Sequence, residues 1–455
     1  MEMVLEFLRD VLSQPALLIG IMSCIGLIAL KRPFHKIMTG TLKPILGYLM
    51  LAAGAGVIVS NLDPLGKMIE HGFHITGVVP NNEAIVAVAQ KVLGVETMSI
   101  LVVGLLMNLC IARFTKFKYV FLTGHHSLFM ACLMSAVLGT AGLSGMELIL
   151  VGGFLMGAWS AISPAIGQSY TSKVTDGDEI AIGHFGSLGY YLSACVAKYV
   201  GKAEDSTEDI EIPEKWGFLR DSTLSTALTM IVFYLIAAFA AGSEFVATLS
   251  GDMSPYLYVV MSAMNFAVGV TIVYSGVRMI LGDLIPAFQG IATKIIPNAI
   301  PAVDCAVFFT YAPTAVVLGF LSSFIGGIIG MLILGAVGGV LIIPGLVPHF
   351  FCGATAGIYG NATGGRRGAA VGAFLNGLAI TFLPALALPV LGQLGFQNTT
   401  FGDADFAVMG LVLGNAYEWV GMAGIYGIVA IAALVLIVPN FIKTKGKVIN
   451  YVEED

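Results

Sequence analysis

The feature that most constrains this chain is a succession of continuous apolar runs. A helix needs about 20 apolar residues to cross the hydrocarbon core of a bilayer. Eleven stretches meet that length approximately: 13–30, 40–60, 97–113, 118–139, 145–164, 222–242, 256–280, 315–335, 338–360, 368–390 and 420–442. The runs do not alternate apolar with polar, so a strand-type porin is disfavoured. Composition closes the other routes. Charged residues are 11% of the 455 and apolar types 57%, with a mean hydropathy of +0.90. A soluble fold carries about 25% charge and could not hide so much apolar surface. The expectation is an all-α polytopic membrane protein of about eleven transmembrane helices.

Charge sets an orientation. Lys31, Arg32, Lys36 and Lys43 lie between the first two runs, and Arg113, Lys116 and Lys118 between the third and fourth. Arg366 and Arg367 lie between the ninth and tenth, and Lys443, Lys445 and Lys447 follow the last. With eleven spans and the N-terminus outside, all these loops fall on the cytoplasmic side, as the positive-inside rule requires. The opening MEMVLEFLRD is acidic and has no basic n-region or small-residue cleavage site, so the first run reads as a permanent span. The net charge of −6 has no basic cluster behind it, and no nucleic-acid partner is expected. The six cysteines stand singly and read as small buried hydrophobes.

The halves repeat. At an offset of 222, Gly47, Gly54, Ile58, Leu62, Pro64 and Ile69 match Gly269, Gly276, Ile280, Leu284, Pro286 and Ile291, and Asn82 falls opposite Asp304. Near that offset LTGH, ending at His125, parallels LVPH, ending at His349, and 175–184 parallels 399–408. The second and seventh runs would cross in opposite directions, which makes the repeat inverted, as in alternating-access transporters. The division expected is 1–200 for the first repeat, 201–221 for an acidic cytoplasmic linker, 222–418 for the second repeat, and 419–455 for a last span and tail. The linker holds seven acids and three bases; it reads either as a solvated connection or as part of a docking surface. Two apolar segments with Gly/Asp-rich breaks, 165–200 and 391–418, read as re-entrant hairpins, because broken backbone at membrane depth must line a cavity or lie within protein.

Polar residues at such breaks are the functional candidates. Asp304 follows Pro301 inside an apolar run, where a carboxylate costs several kcal/mol unless it is paired or faces water. Ionised, it offers only acceptors, which suits a hydroxyl-rich ligand. Asn81 and Asn82, after Pro80, are helix N-caps or ligand contacts. His125 and His126 point about 100° apart on a helix, so at most one lines a cavity. His184 and His349 are interhelical bonds or site residues. No HxxxH, HExxH or Cys/His cluster is present, so no metal is expected. FFCGATAGIYGNATGG (350–365) is either close helix packing or a path-lining loop, and it lacks the ending of a phosphate loop. No cofactor fingerprint or nucleophile–base set occurs, so the chain reads as a transporter and not an enzyme.

These motifs carry a specific resemblance. LTGH (122–125), VTDGDEIAIGH (174–184), AxDCAxxxxxAPxAVV (302–317) and LIIPGLVPxFF (341–351) resemble the L-ascorbate permeases, the membrane IIC component of the bacterial phosphotransferase system. The resemblance implies two inverted repeats, a core domain beside a V-shaped dimerisation domain, a homodimer, and elevator-like carriage of the substrate. It also implies a phosphorylated cytosolic IIB partner; NYVEED ends the chain soon after its last span, so that partner is expected as a separate protein. The substrate positions it implies are Asn82, Glu83, the segment His125, His126, Ser127, Leu128 and Phe129, then His184, Phe185 and Asp304. Ascorbate members carry glutamine where this chain has Phe129 and Phe185, and threonine and tyrosine where it has Asn82 and Glu83. Losing two amides removes up to four donor or acceptor groups, so ascorbate, a related sugar acid or a polyol such as galactitol or a pentitol all stay open. The alternative is a proton-coupled carrier using Asp304 or Glu83.

Overall fold

The computed structural model describes residues 11, 14–74, 77, 78, 80, 82–177, 179–210, 222–392 and 400–441. The chain is mostly helical. Thirteen α-helices are named here: α1 Pro15–Ala29, α2 Phe34–Phe73, α3 Asn82–Phe114, α4 Gly124–Thr140, α5 Gly145–Val174, α6 Ser187–Val200, α7 Ser222–Ala241, α8 Ser243–Ser250, α9 Pro255–Lys294, α10 Pro313–Ala336, α11 Leu346–Gly392, α12 Ala404–Val420 and α13 Met422–Phe441. Among the described residues seven helices are long and apolar enough to cross a membrane; α7 and α8, bent by 115° at their junction, make an eighth if counted as one span. The protein is therefore a multi-pass membrane protein.

The structure differs from the sequence expectation in several places. The run 118–139 is not one helix. Its first residues form a strand, β1 (Tyr119–Phe121), and α4 begins only at Gly124. Two further strands, β2 (Ala181–Ile182) and β3 (Ile300–Val303), pair with it in a parallel sheet of order β1-β3-β2, so the fold is not purely α. Tyr119 stands opposite Ile300, and Ala181 opposite Ala302. Gly183 donates its N–H to Val303 O at 2.7 Å, and any Cβ there would lie 2.4 Å from Ala302 O. Residues 165–174, read from sequence as the start of the first re-entrant hairpin, belong to α5, which runs on to Val174.

Small residues explain how the long helices approach. α2 and α9 each have 40 residues, about 60 Å at 1.5 Å per residue. They pack along a glycine stripe: a Cβ on Gly47 would lie 2.8 Å from Gly276 O, and one on Gly54 would lie 2.7 Å from Gly269 O. Removing side chains lets backbones touch, which is how helices associate in lipid. α10 and α11 use the same device, with Gly319 against Gly353 and Gly357. α11 is broken at Gly364 and Gly365, the latter at φ 58°, a left-handed conformation that favours glycine. The break packs on Ala197 of α6.

The stretch 201–210 is docked and is not a free linker. Glu208 accepts from the backbone N–H groups of Thr314 and Ala315 in the first turn of α10, at 3.0 and 3.1 Å. Thr207 N–H donates to Asn361 Oδ1, and Arg366 N–H to Asp205 O, both at 2.8 Å. The rest of that linker, part of the second hairpin (393–399), the Glu83 side chain and the tail from 442 lie outside the described residues.

Candidate functional site

The site forms where extended segments give way to helices. β1 leads through Thr123 into α4, which carries His125 and His126 in its first turn. β2 leads through His184 and Phe185 into α6. β3 ends beside Asp304, the N-cap of a short 3-10 helix, Cys305–Thr310, where its carboxylate accepts from Ala306 N–H at 3.1 Å. Pro80 bridges Thr400, which brings Asn82 at the start of α3 to Asp403 at the N-cap of α12. Each break therefore sets a polar side chain at a helix start, where orphan backbone donors make such residues favourable.

These groups line one cavity of about 750 Å³. Asn82, His125, His126, Phe129, His184 and Asp304, six of the ten positions implied by sequence, contribute to its wall. The others are placed differently. Ser127 donates to Thr123 O at 3.3 Å, one turn back in its own helix entry. Leu128 is half-buried and packs against the neighbouring apolar core. Phe185 is fully buried behind the cavity, stacked on Phe121 at 4.6 Å. Its backbone N–H, however, donates to His126 Nδ1 at 3.3 Å. Glu83 begins α3 beside Asn82, and its side chain is not described.

Two hydrogen bonds fix imidazole tautomers. Phe185 N–H donates to His126 Nδ1, and Gly186 N–H donates to His184 Nδ1 at 3.1 Å. A backbone N–H can only donate, so each Nδ1 carries a lone pair, each ring is neutral, and the proton sits on Nε2. The Tyr190 hydroxyl lies 2.8 Å from the same His184 nitrogen. His125 is held differently, with Tyr48 hydroxyl 3.3 Å from Nδ1 and Asp304 Oδ2 3.4 Å from Nε2. The site thus offers imidazole N–H donors beside carboxylate acceptors, which matches hydroxyl groups that both give and accept.

Asp403 is a cavity residue that sequence reasoning missed. Its Oδ2 accepts from Asn82 Nδ2 at 2.6 Å and its Oδ1 from Cys352 Sγ at 2.8 Å. Asn82 Oδ1 in turn accepts from Gly402 N–H at 2.9 Å. The signal was present in the sequence: a carboxylate in an apolar stretch is as costly at Asp403 as at Asp304. Asp405 has another job. It accepts from Trp159 Nε1, Ser187 Oγ and Leu188 N–H at 3.2, 2.8 and 2.9 Å, tying α12 to α5 and α6.

Residues far apart in sequence also form two groups with metal-ligand chemistry. His126, His184 and Asp403 bring one ligand atom each within 4.8 Å of one another, as do His184, Asp304 and Cys305. Spacing within the sequence could not show this. The tautomers weigh against ring coordination: a metal at Nε2 would drive the proton to Nδ1, where a backbone N–H already points. His349, a further candidate, is buried outside this set and lies 2.9 Å from Ser323 Oγ, an interhelical contact.

A multi-pass helical protein with a polar cavity enclosed by helix starts has the organisation of a solute carrier. Comparison with known proteins gives the family. Residues 10–405 match the family described as EIIC-GAT, PTS system sugar-specific permease component, and the chain belongs to it. It is similar to a curated protein of Mycoplasma pneumoniae named the ascorbate-specific PTS system EIIC component, at 28% identity over 417 residues covering 78% of this chain. The matched region spans 62% of that relative's length.

Proposed function

We propose that this chain is a IIC permease that binds L-ascorbate, a related sugar acid or a polyol in the cavity around His125, His184 and Asp304. It would translocate that substrate and hand it to a separate phosphorylated IIB protein. The observation that carries this reading is the cavity itself: buried imidazole donors and carboxylate acceptors at converging helix starts, in a chain of the sugar-specific permease family.

An inverted repeat is part of the proposal. Reciprocal contacts support it: Gly47 meets Gly276 while Gly54 meets Gly269, the pairing that two copies offset by 222 residues make about a pseudo-twofold axis. Likewise Val78 bridges Ile342 while Ile300 pairs with Tyr119. Around the cavity Asn82 and Asp304 would be counterparts. Pro80–Thr400 and Ala302–Ala181 would be counterpart pairings, which makes Asp403 the counterpart of His184 and shifts that part of the alignment to an offset of 219.

Homodimerisation through a V-shaped domain and an elevator motion of the core are what the family resemblance adds. On the positive-inside reading the N-terminus is outside and α2 runs outward from Lys36. The cavity mouth, lined by Asp63, Lys67 and Glu70 near the far end of α2, would then open to the outside.

Uptake of labelled polyols and ascorbate tests the proposal, in cells with and without the general phosphotransfer proteins. Uptake should depend on those proteins and survive collapse of the proton gradient. Uptake indifferent to them, and abolished by a protonophore, would replace this reading with a proton-coupled carrier.

A further inference from the structure

Asp403 changes what the cavity can accept. It is 5% exposed, and its partners are neutral: the Asn82 amide, the Cys352 thiol, and His184 Nδ1 at 3.9 Å, a nitrogen whose lone pair already accepts the Gly186 N–H. Asp304 is the other buried carboxylate of the wall, apart from Asp63 and Glu70 at the mouth, and both buried carboxylates lie within 4.8 Å of a ligand atom of His184. Of the cations that could offset them, His126 and His184 are neutral by their hydrogen bonds. His125 faces Asp304 and not Asp403. Lys67, the lysine of the cavity wall, sits at the mouth and is paired with Asp63 at 2.9 Å.

Helix N-termini bring partial positive charge to such a site. Two of those present already face carboxylates of the chain itself: Asp405 accepts from Leu188 N–H at the start of α6, and Asp304 accepts from Ala306 N–H at the start of the 3-10 helix. That field is therefore not left over for an anionic ligand.

We infer that Asp403, acting with Asp304, tunes this cavity for an uncharged polyhydroxyl substrate, an open-chain polyol or a neutral sugar, and against sugar acids that are anions at neutral pH, ascorbate among them. The inference rests on the reading of the cavity as the permease's substrate site. The physical basis is direct. An anion would be placed against two buried carboxylates, where like charges repel more strongly than in bulk water. Polyol hydroxyls donate to the carboxylates and accept from the two Nε2–H groups. Asn82 holds the Asp403 carboxylate in place from the opposite helix start.

Binding to the purified, full-length wild-type protein in lipid nanodiscs tests this, with galactitol, xylitol and ascorbate as probes at pH 7. Wild type should bind one of the polyols at least tenfold more tightly than ascorbate. Asp403→Asn keeps the shape and removes the charge, and should shrink that ratio at least fivefold. Asp403→Ser serves as a second variant if the first does not fold.

Tighter binding of ascorbate than of either polyol would overturn the inference while leaving the substrate site intact. So would a ratio unchanged in both variants, or ascorbate binding that appears only with an added divalent cation. Binding of none of the three, or polyol binding unaffected by Asp304→Asn, would overturn the substrate-site reading and the inference with it.

Discussion

Backbone donors orient the imidazoles of the cavity. The backbone N–H groups of Phe185 and Gly186 decide which nitrogen of His126 and His184 is the donor. His125 is positioned between Tyr48 and Asp304. Removing the Tyr48 hydroxyl should therefore loosen an imidazole without emptying the site. Tyr48→Phe is expected to weaken substrate binding about fivefold, the worth of about 1 kcal/mol for one hydrogen bond. His184→Ala removes a donor and leaves a void beside Asp403, and should weaken binding more than about thirtyfold, about 2 kcal/mol or above. Calorimetry on the purified protein reads both; equal effects of the two substitutions would contradict these roles. At this scale the sequence was legible where a rule about cost applied. Asp304 stood out as a carboxylate in an apolar run, and the histidines as polar groups at breaks. Ser127 and Phe185 were implied by position in a motif, but adjacent residues on a helix start face different ways, and these two face protein.

At the scale of elements, the helices meet where side chains are absent. A Cβ on Gly276 would lie 2.6 Å from Gly47 O and from Leu51 N, backbone atoms that cannot swing aside. Gly276→Ala should thus cost about 1–3 kcal/mol and lower the thermal unfolding midpoint, while Gly282→Ala, with nothing within 4 Å of its Cβ, should not. Equal midpoints for the two would contradict the close approach of α2 and α9. Glu208 caps a different helix: its carboxylate serves the Thr314 and Ala315 N–H groups. Glu208→Ala should cost about 1 kcal/mol, and Glu208→Gln less, read by the same midpoint.

The apolar runs revealed the long helices well because length and hydropathy are what lipid selects. They failed at 118–139, where Tyr119–Phe121 is as apolar as the helix that follows. Its strand pairing with Ile300–Ala302 is a contact across about 180 residues that no local pattern carries. The first part of the acidic linker was hidden for a similar reason, since the partners of Asp205, Thr207 and Glu208 lie on α10 and α11.

For the whole molecule, scarcity of charge is the organising fact. With 11% of residues charged, the buried aspartates among the described residues divide between structure and site. Asp405 ties three helices together, while Asp304 and Asp403 face the cavity. The multi-pass architecture was readable from composition and run length, and the family from short motifs. Asp403 was legible as a costly carboxylate but not as a cavity residue, because its place there depends on the Pro80–Thr400 bridge between distant parts of the chain. If this cavity holds the substrate, Asp304 is an essential acceptor. The most direct measurement is equilibrium binding of a labelled substrate to wild type and to Asp304→Asn, each shown by its thermal midpoint to be folded. Binding to wild type should be saturable, and the variant should lose it by at least about thirtyfold, or about 2 kcal/mol. A folded Asp304→Asn protein that binds with wild-type affinity would contradict that role.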